Sequence, residues 1–599
     1  MPKPTNQVVI QVPSGSETDA QRVADESGMI YKGRVAALKT YFILEDPNMR
    51  LEDADDVSNV GRALTQQNDD PVDRPLEEGH IDSNTVTWFE WQQYMPRTHR
   101  AVLRRFKRTP SKKHNDPLYE KQWYLSAMFI EKAWEKGYTG SGVVVSVLDD
   151  GVEYTHEDLK KNYDILASKD VIDNDFDPSP PPNTPHGTRC ASLIASEASN
   201  NVCTVGVAHG AKVGGIRVLG KDGSTDLGEA QALGHNNDYI DVYSVSWGPV
   251  DSGRSFKGPK ELSAAAMHTG IEEGRRGLGS IFVWAVGNGA EDGDNCAFDG
   301  YITSPYTIGV AAVAYDNKYT SYSEACPAVL CTAYSWQRDS ELPRIPTADI
   351  GGGCSNEHSG TSAAVPIVAG VVALMLQANP LLTWRDVQNI LIQTSNPEPL
   401  LENYGWKRNG AGRMVSAEFG YGIVNAEKAV SLAERWLPSK GKQERCSIVH
   451  KPQQTSLAKL HEEILVLEIE VGSKCDNIEE LEHVQLMVDI PYVEVRGVLT
   501  IRMISPMGTE SLMMPSRRRD IFDGGISEDT AKWPFMSLQQ WGESPKGKWI
   551  IEIDNAGGMA FEKGVFNGLT LILSGSGKKS GPKEIGFSWG DLFQHGRRM

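Results

Sequence analysis

The stretch that decides the fold reads Val143-Val144-Val145-Ser146-Val147-Leu148-Asp149-Asp150-Gly151, an apolar run that ends in two carboxylates and a glycine. A second apolar run, Ile281–Ala285, follows later in the chain, and helical stretches lie between the two. Apolar β-branched runs that alternate with helices are typical of a parallel sheet covered by helices on both faces. We therefore predict that residues from about 123 to 436 form one α/β domain around a single large core.

A small unit of a different kind precedes this domain. The pattern predicts strands at residues 7–12 and 39–44 and a helix at Glu17–Glu26, which together indicate an α+β unit. Between residues 46 and 82 the apolar pattern lapses and acidic residues predominate, so we expect a loop or a disordered insert there.

The pattern changes again after residue 439. Short alternating strands, such as those at residues 498–504 and 548–553, are separated by Gly and Pro turns, which is typical of a β-sandwich. The last segment, from about residue 578, is polar and Gly-rich and is predicted to be a tail.

The formal net charge of −19 argues against nucleic-acid binding and favours cationic partners, because a summed negative field attracts basic ligands. The longest apolar run, residues 363–376, contains Pro366 and is shorter than the ~20 residues that a membrane-spanning helix needs. We expect a buried core helix there, no transmembrane segment in this chain, and a monomer.

The 8 cysteines form neither a CxxC pair nor a Cys/His cluster at zinc spacing, so structural disulfides are favoured over a metal site. Disulfides imply an oxidising compartment and hence the secretory pathway, either the Golgi or the cell exterior. Residues 1–14 nevertheless lack the basic and apolar regions of a signal peptide. Either the supplied start lies downstream of a signal or the protein leaves by another route, and we expect the first.

Three motifs carry an aspartate, a histidine and a serine. Asp149 ends a predicted buried strand, so its carboxylate lies at the carboxyl edge of a parallel sheet, where it would orient His186 of His186-Gly187-Thr188-Arg189-Cys190. The histidine would accept the proton of Ser362, in Ser359-Gly360-Thr361-Ser362-Ala363. This serine opens the apolar helix, where the helix dipole favours a developing negative charge. The order Asp, His, Ser is the chain order of the subtilisin triad.

Asn288, in Trp284-Ala285-Val286-Gly287-Asn288-Gly289, follows a predicted strand and is predicted to donate a hydrogen bond to the oxyanion. An Asn-Gly pair alone is usually a turn, and a lone Asp-Gly or His-Gly pair is more often structural than catalytic. Four such motifs in this order favour the catalytic interpretation.

A basic cluster, Arg104-Arg105-Phe106-Lys107-Arg108, lies where the N-terminal unit would end. The alternative interpretation is a solvated charge run. Its position disfavours this alternative, and the resemblance of the chain to a protease family implies a self-cleavage site between Arg108 and Thr109, with Arg105 and Lys107 on the acyl side.

Over residues 7–575 the chain resembles furin and kexin, the proprotein convertase branch of the subtilisin-like proteases. The doubled Asp149-Asp150 carries this resemblance together with the histidine motif and with Ser246-Trp247-Gly248-Pro249, Ser505-Pro506-Met507-Gly508-Thr509 and Trp541-Gly542-Glu543. The resemblance implies a propeptide at residues 1–108, a subtilisin-like catalytic domain at 109–438, a P-domain β-sandwich at 439–577 and a tail at 578–599.

The implied activity is that of a calcium-dependent serine endoprotease that cleaves precursor proteins after Lys-Arg or Arg-Arg and is inhibited by its own propeptide. A degradative subtilisin is one alternative, and the P-domain and the acidic pockets disfavour it. A catalytically silent binder or chaperone that keeps its propeptide is another, and the intact triad residues disfavour it.

A protease that selects arginine needs fixed carboxylates, which accept the paired donors of a guanidinium. The resemblance implies substrate-binding roles for six residues: Asp251 and Asp299 in the P1 pocket, Asp150 at P2, and Glu229, Asp226 and Tyr301 at P4 and the outer positions.

Three positions depart from the family. Lys257 and Val250 replace acidic residues of the outer subsites, and Asn183 replaces an aspartate that assists P2. A like charge near a basic substrate side chain opposes binding. We therefore expect a kexin-like dibasic preference rather than strict four-residue specificity.

The resemblance also implies calcium, which prefers hard oxygen ligands. Three ligand sets are implied: Asp116, Asp158 and Asn200; Asp251, Asp294 and Glu324; and Asp170, Asp175 and Asp177. The third set lies in a Pro-rich loop and is equally consistent with a plain acidic turn. The implied disulfides are Cys203–Cys354, Cys296–Cys326 and Cys446–Cys475, with Cys190 free and Cys331 without an obvious partner.

Overall fold

A computed structural model describes residues 3–47, 85–94, 114–438, 442–452, 455–457, 464–521, 532–555 and 564–577. Three predictions lie outside the described residues: most of the acidic insert, the basic cluster with its cleavage site at Arg108 and Thr109, and the tail.

The N-terminal unit, residues 3–47 and 85–94, contains β1 (Lys3–Gln11), α1 (Glu17–Glu26), β2 (Ile30–Arg34), β3 (Tyr41–Glu45) and β4 (Trp88–Tyr94). The strands form an antiparallel sheet in the order β2-β3-β1-β4, and apolar side chains of β1, β3 and α1 form its core. The predicted helix has the bounds of α1, and the predicted strands overlap β1 and β3. The sequence pattern did not reveal β2 and β4, because most of their residues are only partly buried and show no clear alternation.

The central domain, residues 114–438, alternates strands and helices as predicted. Its elements are α2 (Trp123–Ala127), α3 (Ile130–Glu135), β5 (Val144–Asp149), β6 (Lys169–Asp170), α4 (His186–Ala195), β7 (Lys212–Arg217), α5 (Asp226–Leu233), β8 (Val242–Val245), α6 (Glu261–Gly277), β9 (Ile281–Ala285), β10 (Thr307–Val313), β11 (Cys331–Tyr334), β12 (Ile345–Asp349), β13 (Gly353–His358), α7 (Thr361–Ala378), α8 (Trp384–Thr394), β14 (Lys407–Arg408), β15 (Met414–Val415) and α9 (Ala426–Ala433). The predicted strand at 281–285 has the bounds of β9.

The main sheet of this domain has seven strands in the order β11-β10-β9-β8-β5-β7-β6, and all its pairs are parallel. β5 is flanked by β7 on one side and β8 on the other, so the chain changes direction across the sheet at β5. In open parallel sheets a crevice forms at such a point, outside the carboxyl ends of the strands. The fold therefore places the end of β5, at Asp149, in a natural binding crevice.

The long helix α7 passes through the core of the central domain. Sixteen of its 18 residues, Thr361 to Leu376, are buried, so the predicted core helix is confirmed. Within the described part of the chain, α7 is the one helix long and apolar enough to cross a membrane, and 89% of its apolar window is buried inside the protein.

The C-terminal sandwich, residues 442–577 with the gaps given above, is built of antiparallel strands. They are β16 (Glu444–His450), β17 (Thr455–Ser456), β18 (Leu465–Val471), β19 (Glu480–Asp489), β20 (Tyr492–Val493), β21 (Thr500–Ile504), β22 (Glu510–Met514), β23 (Lys532–Ser537), β24 (Gly547–Asp554), β25 (Gly564–Phe566) and β26 (Gly568–Ser576). They form sheets in the orders β16-β26-β19-β23, β18-β24-β21-β22 and β17-β25-β20. The predicted β-sandwich is confirmed, and its predicted strands overlap β21 and β24.

Three disulfides cross-link the chain: Cys203–Cys354, Cys296–Cys326 and Cys446–Cys475. These are the pairs that the resemblance implies. Cys190 and Cys331 are free and buried. The first disulfide joins cysteines that are 151 residues apart in sequence, the longest separation of the three, and ties β13 to the loop that follows α4.

Candidate active site

The Asp149 carboxylate and the His186 imidazole form the buried centre of the site. Asp149 is the last residue of β5 and His186 the first of α4, and Nδ1 of the histidine lies 2.9 Å from both carboxylate oxygens. Both side chains are buried. The aspartate can therefore hold the proton on Nδ1 and stabilise the ring when Nε2 accepts a second proton.

Gly187 permits this close approach between α4 and the end of β5. A Cβ atom at this position would lie 2.2 Å from the Gly151 carbonyl oxygen and 2.9 Å from the Cβ of Asp149. No side chain fits there, which explains the glycine that follows the histidine.

Ser362 is the second residue of α7. The helix starts after Gly360, whose φ of 79° favours glycine. The Ser362 hydroxyl donates a hydrogen bond to the Ser246 carbonyl oxygen, 3.1 Å away. The serine thus lies at a helix N-terminus, where free amides and the helix dipole stabilise negative charge.

Asn288 lies beside this helix start in an orientation set by its own oxygen. Oδ1 accepts hydrogen bonds from the Thr361 amide at 2.8 Å and from the Thr361 hydroxyl at 3.1 Å. The Nδ2 group is buried and has no acceptor among the described residues. The oxygen of the Asn288 side chain is thus held by Thr361, and its buried NH₂ group lies next to the serine segment. This is the arrangement of an oxyanion donor.

Asp150 anchors the start of α4, a role that sequence reasoning missed. Its carboxylate accepts hydrogen bonds from the His186 amide at 3.2 Å and the Gly187 amide at 2.7 Å. Burial, followed by the neighbouring Asp149 charge, raises the pKa of Asp150 well above its usual range. A cationic substrate group nearby would favour the ionised form, which is compatible with the predicted P2 contact.

One cavity next to the segment that carries Asn288 is lined by four carboxylates, those of Asp251, Asp294, Asp299 and Glu324. Three of these side chains accept backbone hydrogen bonds: Asp294 from the Ser252 and Gly253 amides at 2.9 Å, Asp299 from the Tyr301 amide at 2.8 Å and Glu324 from the Gly289 amide at 2.9 Å. The structure therefore brings the predicted P1 residues and the second predicted calcium set into one place.

Gly289 lies between the three members of the second calcium set. A Cβ atom on this glycine would come within 2.7 Å of the Asp294 Cβ, 3.0 Å of Glu324 Oε1 and 3.1 Å of the Asp251 Cβ. Three acidic side chains thus pack around one glycine, and carboxylate oxygens are the ligands that a hard cation such as calcium prefers. Arg517 of the C-terminal sandwich lies next to this set, 3.2 Å from Asp294 Oδ1. Sequence reasoning missed this neighbour.

The first predicted calcium set is also brought together. The side-chain amide of Asn200 donates to Asp158 Oδ1 at 3.0 Å. The Asp116 carboxylate accepts hydrogen bonds from the backbone amides of Ser199 and Asn200. Burial raises the pKa of Asp158 to about 7, and the charge of Asp116 adds to this effect. A cation at this position would offset the cost of these buried charges.

The third set has the contacts of a local acidic turn. Asp170 forms an ion pair with Arg217, which also binds Asp173. Asp175 and Asp177 accept hydrogen bonds from backbone amides two residues further along the chain. The arginine already neutralises this loop, so its contacts favour the acidic-turn alternative over a calcium site.

Glu229 and Tyr301, predicted for the outer subsites, are in contact with each other. The Tyr301 hydroxyl and the Ser224 hydroxyl both donate to the Glu229 carboxylate. Both predicted residues are buried, and Tyr301 stacks on Trp284 of β9 with ring centroids 4.5 Å apart. This placement keeps them next to the strand that leads to Asn288.

Asp226 has a structural contact that sequence reasoning missed. Its carboxylate accepts hydrogen bonds at 2.9 Å from the Leu262 and Ser263 amides, in the first turn of α6. Burial raises its pKa to about 6, and these amides partly oppose the rise. Both oxygens accept hydrogen bonds at the helix start, so Asp226 also anchors α6 to α5.

The three departures from the family, Asn183, Val250 and Lys257, are all exposed. Lys257 is joined to the segment that carries Asp299: its amide donates to the Phe298 carbonyl at 3.3 Å, and its carbonyl accepts from the Gly300 amide at 2.9 Å. The Lys257 backbone is therefore joined to the segment that carries Asp299, and its side chain is exposed.

Comparisons with known proteins identify the family. The Subtilase family model matches residues 140–422, and the Proprotein convertase P-domain model matches residues 481–573. Bovine furin is 38% identical over 596 residues, which cover 97% of this chain and 70% of that protein. The chain belongs to the furin/kexin-type proprotein convertases. This is a family of serine endopeptidases.

Other relatives support the assignment of this chain to the convertase family. The endoprotease bli-4 of Caenorhabditis elegans is 43% identical over 480 residues, 78% of this chain and 50% of that protein, and rat furin is 40% identical over 535 residues, 87% and 65%. The chain thus spans half the length of the nematode relative and about two thirds of rat furin. A solved serine protease of Aeromonas sobria is 21% identical to this chain, with a TM-score of 0.68. The match covers 78% of this chain and 96% of that protein chain, and it supports the fold.

In this convertase a second histidine lies behind the first, and sequence reasoning missed it. The His358 ring is 5.4 Å from that of His186, and its Nε2 is 3.5 Å from Sγ of Cys190. Burial lowers the pKa of His358 well below its usual range and raises that of Cys190 well above it. Both groups are therefore uncharged at neutral pH, and neither opposes protonation of His186. The only sequence signal for His358 is its place just before the serine motif.

Proposed function

We propose that the chain is a calcium-dependent endoprotease that cleaves precursor proteins after paired basic residues and activates itself by cleavage after Arg108. The observation that carries this proposal is the acidic cavity of Asp251, Asp294, Asp299 and Glu324, which lies next to the segment of Asn288, the predicted oxyanion donor. A serine protease site next to fixed carboxylates suits a substrate with a guanidinium or ammonium group at P1.

In the proposed reaction Ser362 attacks the scissile carbonyl carbon and His186 Nε2 accepts its proton. Asp149 keeps the other ring nitrogen protonated and stabilises the imidazolium. The same proton then passes from His186 to the leaving amine, so the histidine serves as base and as acid in turn.

The charge that develops on the carbonyl oxygen would be stabilised by two donors. One is the Asn288 Nδ2 group, held by its own oxygen against Thr361. The other is the Ser362 amide at the start of α7. Donors that are already in position cost no reorganisation when the charge forms, so they lower the barrier of the chemical step.

Specificity is proposed to arise from charge. Asp251 and Asp299 would bind the P1 side chain, Asp150 the P2 side chain, and Glu229 with Tyr301 the P4 side chain. Since Lys257 opposes a basic side chain in the outer positions, a dibasic preference is favoured over a strict four-residue requirement.

Calcium is proposed at the first two ligand sets, Asp116 with Asp158 and Asn200, and Asp251 with Asp294 and Glu324. A bound ion at the second set would neutralise carboxylates that face the P1 pocket and hold their orientation. The protein would supply the three acidic side chains that pack around Gly289.

The N-terminal unit is proposed to act as the propeptide, an intramolecular inhibitor and folding aid. It contacts α5 and α6 through the Leu227 amide, which donates to Gln92 Oε1 at 2.8 Å, and through Lys39–Glu273 and Lys260–Glu90 ion pairs at 2.8 and 2.7 Å. Because it binds these two helices, release would require dissociation of this interface after the chain is cut. The three disulfides support a location in the secretory pathway, where the environment is oxidising.

The proposal is tested with the full chain and its Ser362→Ala variant. We expect wild type to show an N-terminus at Thr109 and to cleave peptides after Lys-Arg, and the variant to lose several orders of magnitude in kcat/KM and to keep the N-terminal unit attached. An intact-mass measurement decides the second point. A Thr109 N-terminus in the purified variant, in the absence of any other convertase, would contradict self-cleavage, and a wild type that retains residues 1–108 and cleaves nothing would support a silent binder.

A further inference from the structure

The carbonyl oxygen of Ser362 lacks the donor that a regular helix would give it. In an α-helix each carbonyl accepts a hydrogen bond from the amide four residues later, which for Ser362 is residue 366. Residue 366 is a proline inside α7, and proline has no N–H group to donate. Because a buried carbonyl is costly without a hydrogen bond, we expect a donor from elsewhere in the chain near this helix start.

Two side chains from other elements donate to this oxygen. The Ser246 hydroxyl donates to the Ser362 carbonyl at 3.3 Å, and the Cys190 thiol donates to it at 3.7 Å. Ser246 directly follows β8, and Cys190 belongs to α4. All three residues are buried. Since a thiol is a weak donor, the hydroxyl provides the stronger of the two contacts.

Ser246 contacts Ser362 through both its carbonyl and its hydroxyl. The carbonyl accepts from the Ser362 hydroxyl at 3.1 Å, and the side-chain hydroxyl donates to the Ser362 carbonyl. In the proposed reaction the first bond must break, because the Ser362 hydroxyl passes its proton to His186. The second bond does not involve the reacting atom. It can therefore hold the Ser362 backbone while the side chain reacts.

The chain that leads into Ser362 is held by different contacts. The Gly360 carbonyl accepts a hydrogen bond from the Ser335 hydroxyl at 2.8 Å. The Thr361 amide, in the same peptide group, donates to Asn288 Oδ1 at 2.8 Å. The peptide group that follows Ser362 is held instead by the hydroxyl and the thiol described above. Without that hydroxyl, only the weaker thiol contact would remain of these two side-chain contacts.

We propose that the Ser246 hydroxyl positions the nucleophile: it takes the place of the helix amide that Pro366 lacks and keeps Ser362 aligned for attack. The inference rests on the proposed function, which assigns Ser362 as the nucleophile. Misplacement of a reacting group by ~1 Å can cost about 10²-fold in rate. We therefore expect loss of the hydroxyl to slow the chemical step and to leave peptide binding unchanged.

The test uses protein produced from the full chain and two measurements. The first is kcat and KM on one Lys-Arg peptide, and the second is the rate at which diisopropyl fluorophosphate modifies Ser362, which needs no basic side chain in the acidic cavity. In Ser246→Ala we expect both kcat and the modification rate to fall about tenfold, as for the loss of one hydrogen bond, with KM unchanged. Ser244→Ala is the matched control, because this buried serine lies two residues earlier and its hydroxyl has no partner among the described residues. Neither rate should change in the control.

Pro366→Ala separates positioning from a purely structural role of the hydroxyl. This substitution gives residue 366 an amide that can donate to the Ser362 carbonyl, so Ser246→Ala should then cost much less than tenfold in the modification rate. An equal loss with and without Pro366→Ala overturns the inference, and so does an unchanged modification rate in Ser246→Ala. If Ser246→Ala does not fold, Ser246→Cys decides, because it keeps a weaker donor of similar size. A wild-type modification rate in Ser246→Cys would overturn the inference.

The modification rate also distinguishes this inference from the proposed function. A wild type that the fluorophosphate modifies at Ser362 but that cleaves no Lys-Arg peptide would contradict the proposed specificity, and the rates of the variants would still decide the role of Ser246. A wild type whose Ser362 is not modified at all would overturn the proposed function together with this inference.

Discussion

Arg385 and Glu482 form a bidentate ion pair across the interface between the central domain and the C-terminal sandwich. Nε and Nη2 of the arginine lie 2.9 and 2.6 Å from the two carboxylate oxygens, and the side chains are only 8% and 4% exposed. The pair joins α8 to β19. A buried charge at this interface is costly unless its oppositely charged partner is present. The ion pair therefore links the stability of the two domains.

Glu482→Ala should destabilise the protein by about 3–5 kcal/mol, because Arg385 would stay buried without its carboxylate. Urea unfolding measures the effect. Glu468→Ala is the control: Glu468 pairs with Lys548 at 2.8 Å on the sandwich surface, where both side chains are more than half exposed, and we expect a change of at most about 1 kcal/mol. Equal effects of the two substitutions would show that the interface pair has no special role.

Stability should fall as the pH drops below the usual pKa of histidine, in part because of His483. This ring is buried between Gln443 and Gln388, 2.9 Å from each, and burial, with the nearby Arg385 charge, lowers its pKa from 6.5 to about 3. Between those two pH values the unfolded chain binds a proton that the folded chain does not. The free energy of unfolding therefore falls by up to about 1.4 kcal/mol for each pH unit.

Urea unfolding between pH 7 and pH 4 gives this slope. His483→Gln keeps a hydrogen-bonding side chain without the titration, and we expect a smaller slope in the variant. The neighbouring Arg385 and Glu482 are the same in both proteins. Parallel curves for the two proteins would show that His483 does not contribute.

Asn288→Leu should lower kcat by about 10²–10³ with little change in KM, because the amide donor acts on the charge of the transition state. Asn288→Asp is the matched variant, since it keeps an acceptor for Thr361 but lacks the donor. We expect both variants to lose activity, as measured on one Lys-Arg peptide. An active Asn288→Asp protein would contradict the donor role.

Gly289→Ala should weaken calcium binding at the second ligand set, because the added methyl group would fill the space between Asp251, Asp294 and Glu324. The measurement is the rise in Tm with added calcium after chelation. Gly472→Ala is the control, because no atom lies within 4 Å of a Cβ at that position. Chelation should also inactivate the wild type, and full activity after exhaustive chelation would contradict the calcium sites.

Lys257→Asp should strengthen the preference for a basic P4 residue. In the wild type, replacement of P4 Arg by Ala in a Lys-Arg peptide should reduce kcat/KM on the order of tenfold, because one carboxylate contact at Glu229 is opposed by one like charge. The variant should enlarge this ratio, and high salt should shrink the enlargement. Lys318→Asp, an exposed lysine paired with Glu402, serves as the control. An unchanged ratio in Lys257→Asp would place this side chain away from the substrate.

Local pattern was enough for much of the fold. The bounds of α1 and β9, the alternation around β5 and the buried helix α7 follow from the sequence alone, because periodicity and β-branched runs are properties of neighbouring residues. The order and composition of the motifs likewise indicated Asp149, His186, Ser362 and Asn288. By contrast, β2 and β4 needed their sheet partners, since half-buried strands carry a weak pattern.

Only the tertiary structure decided what each acidic side chain contacts. Asp226 anchors α6, Asp150 anchors α4, and Asp170 is neutralised by Arg217, whereas Asp251, Asp294 and Glu324 converge on Gly289. The Arg385–Glu482 pair and the contact of the Ser246 hydroxyl with the Ser362 carbonyl join residues that are far apart in sequence. A carboxylate has the same chemistry in every one of these positions, so the sequence determined which groups were available. Packing determined which of them are buried, paired or open to a ligand, because those properties depend on long-range contacts.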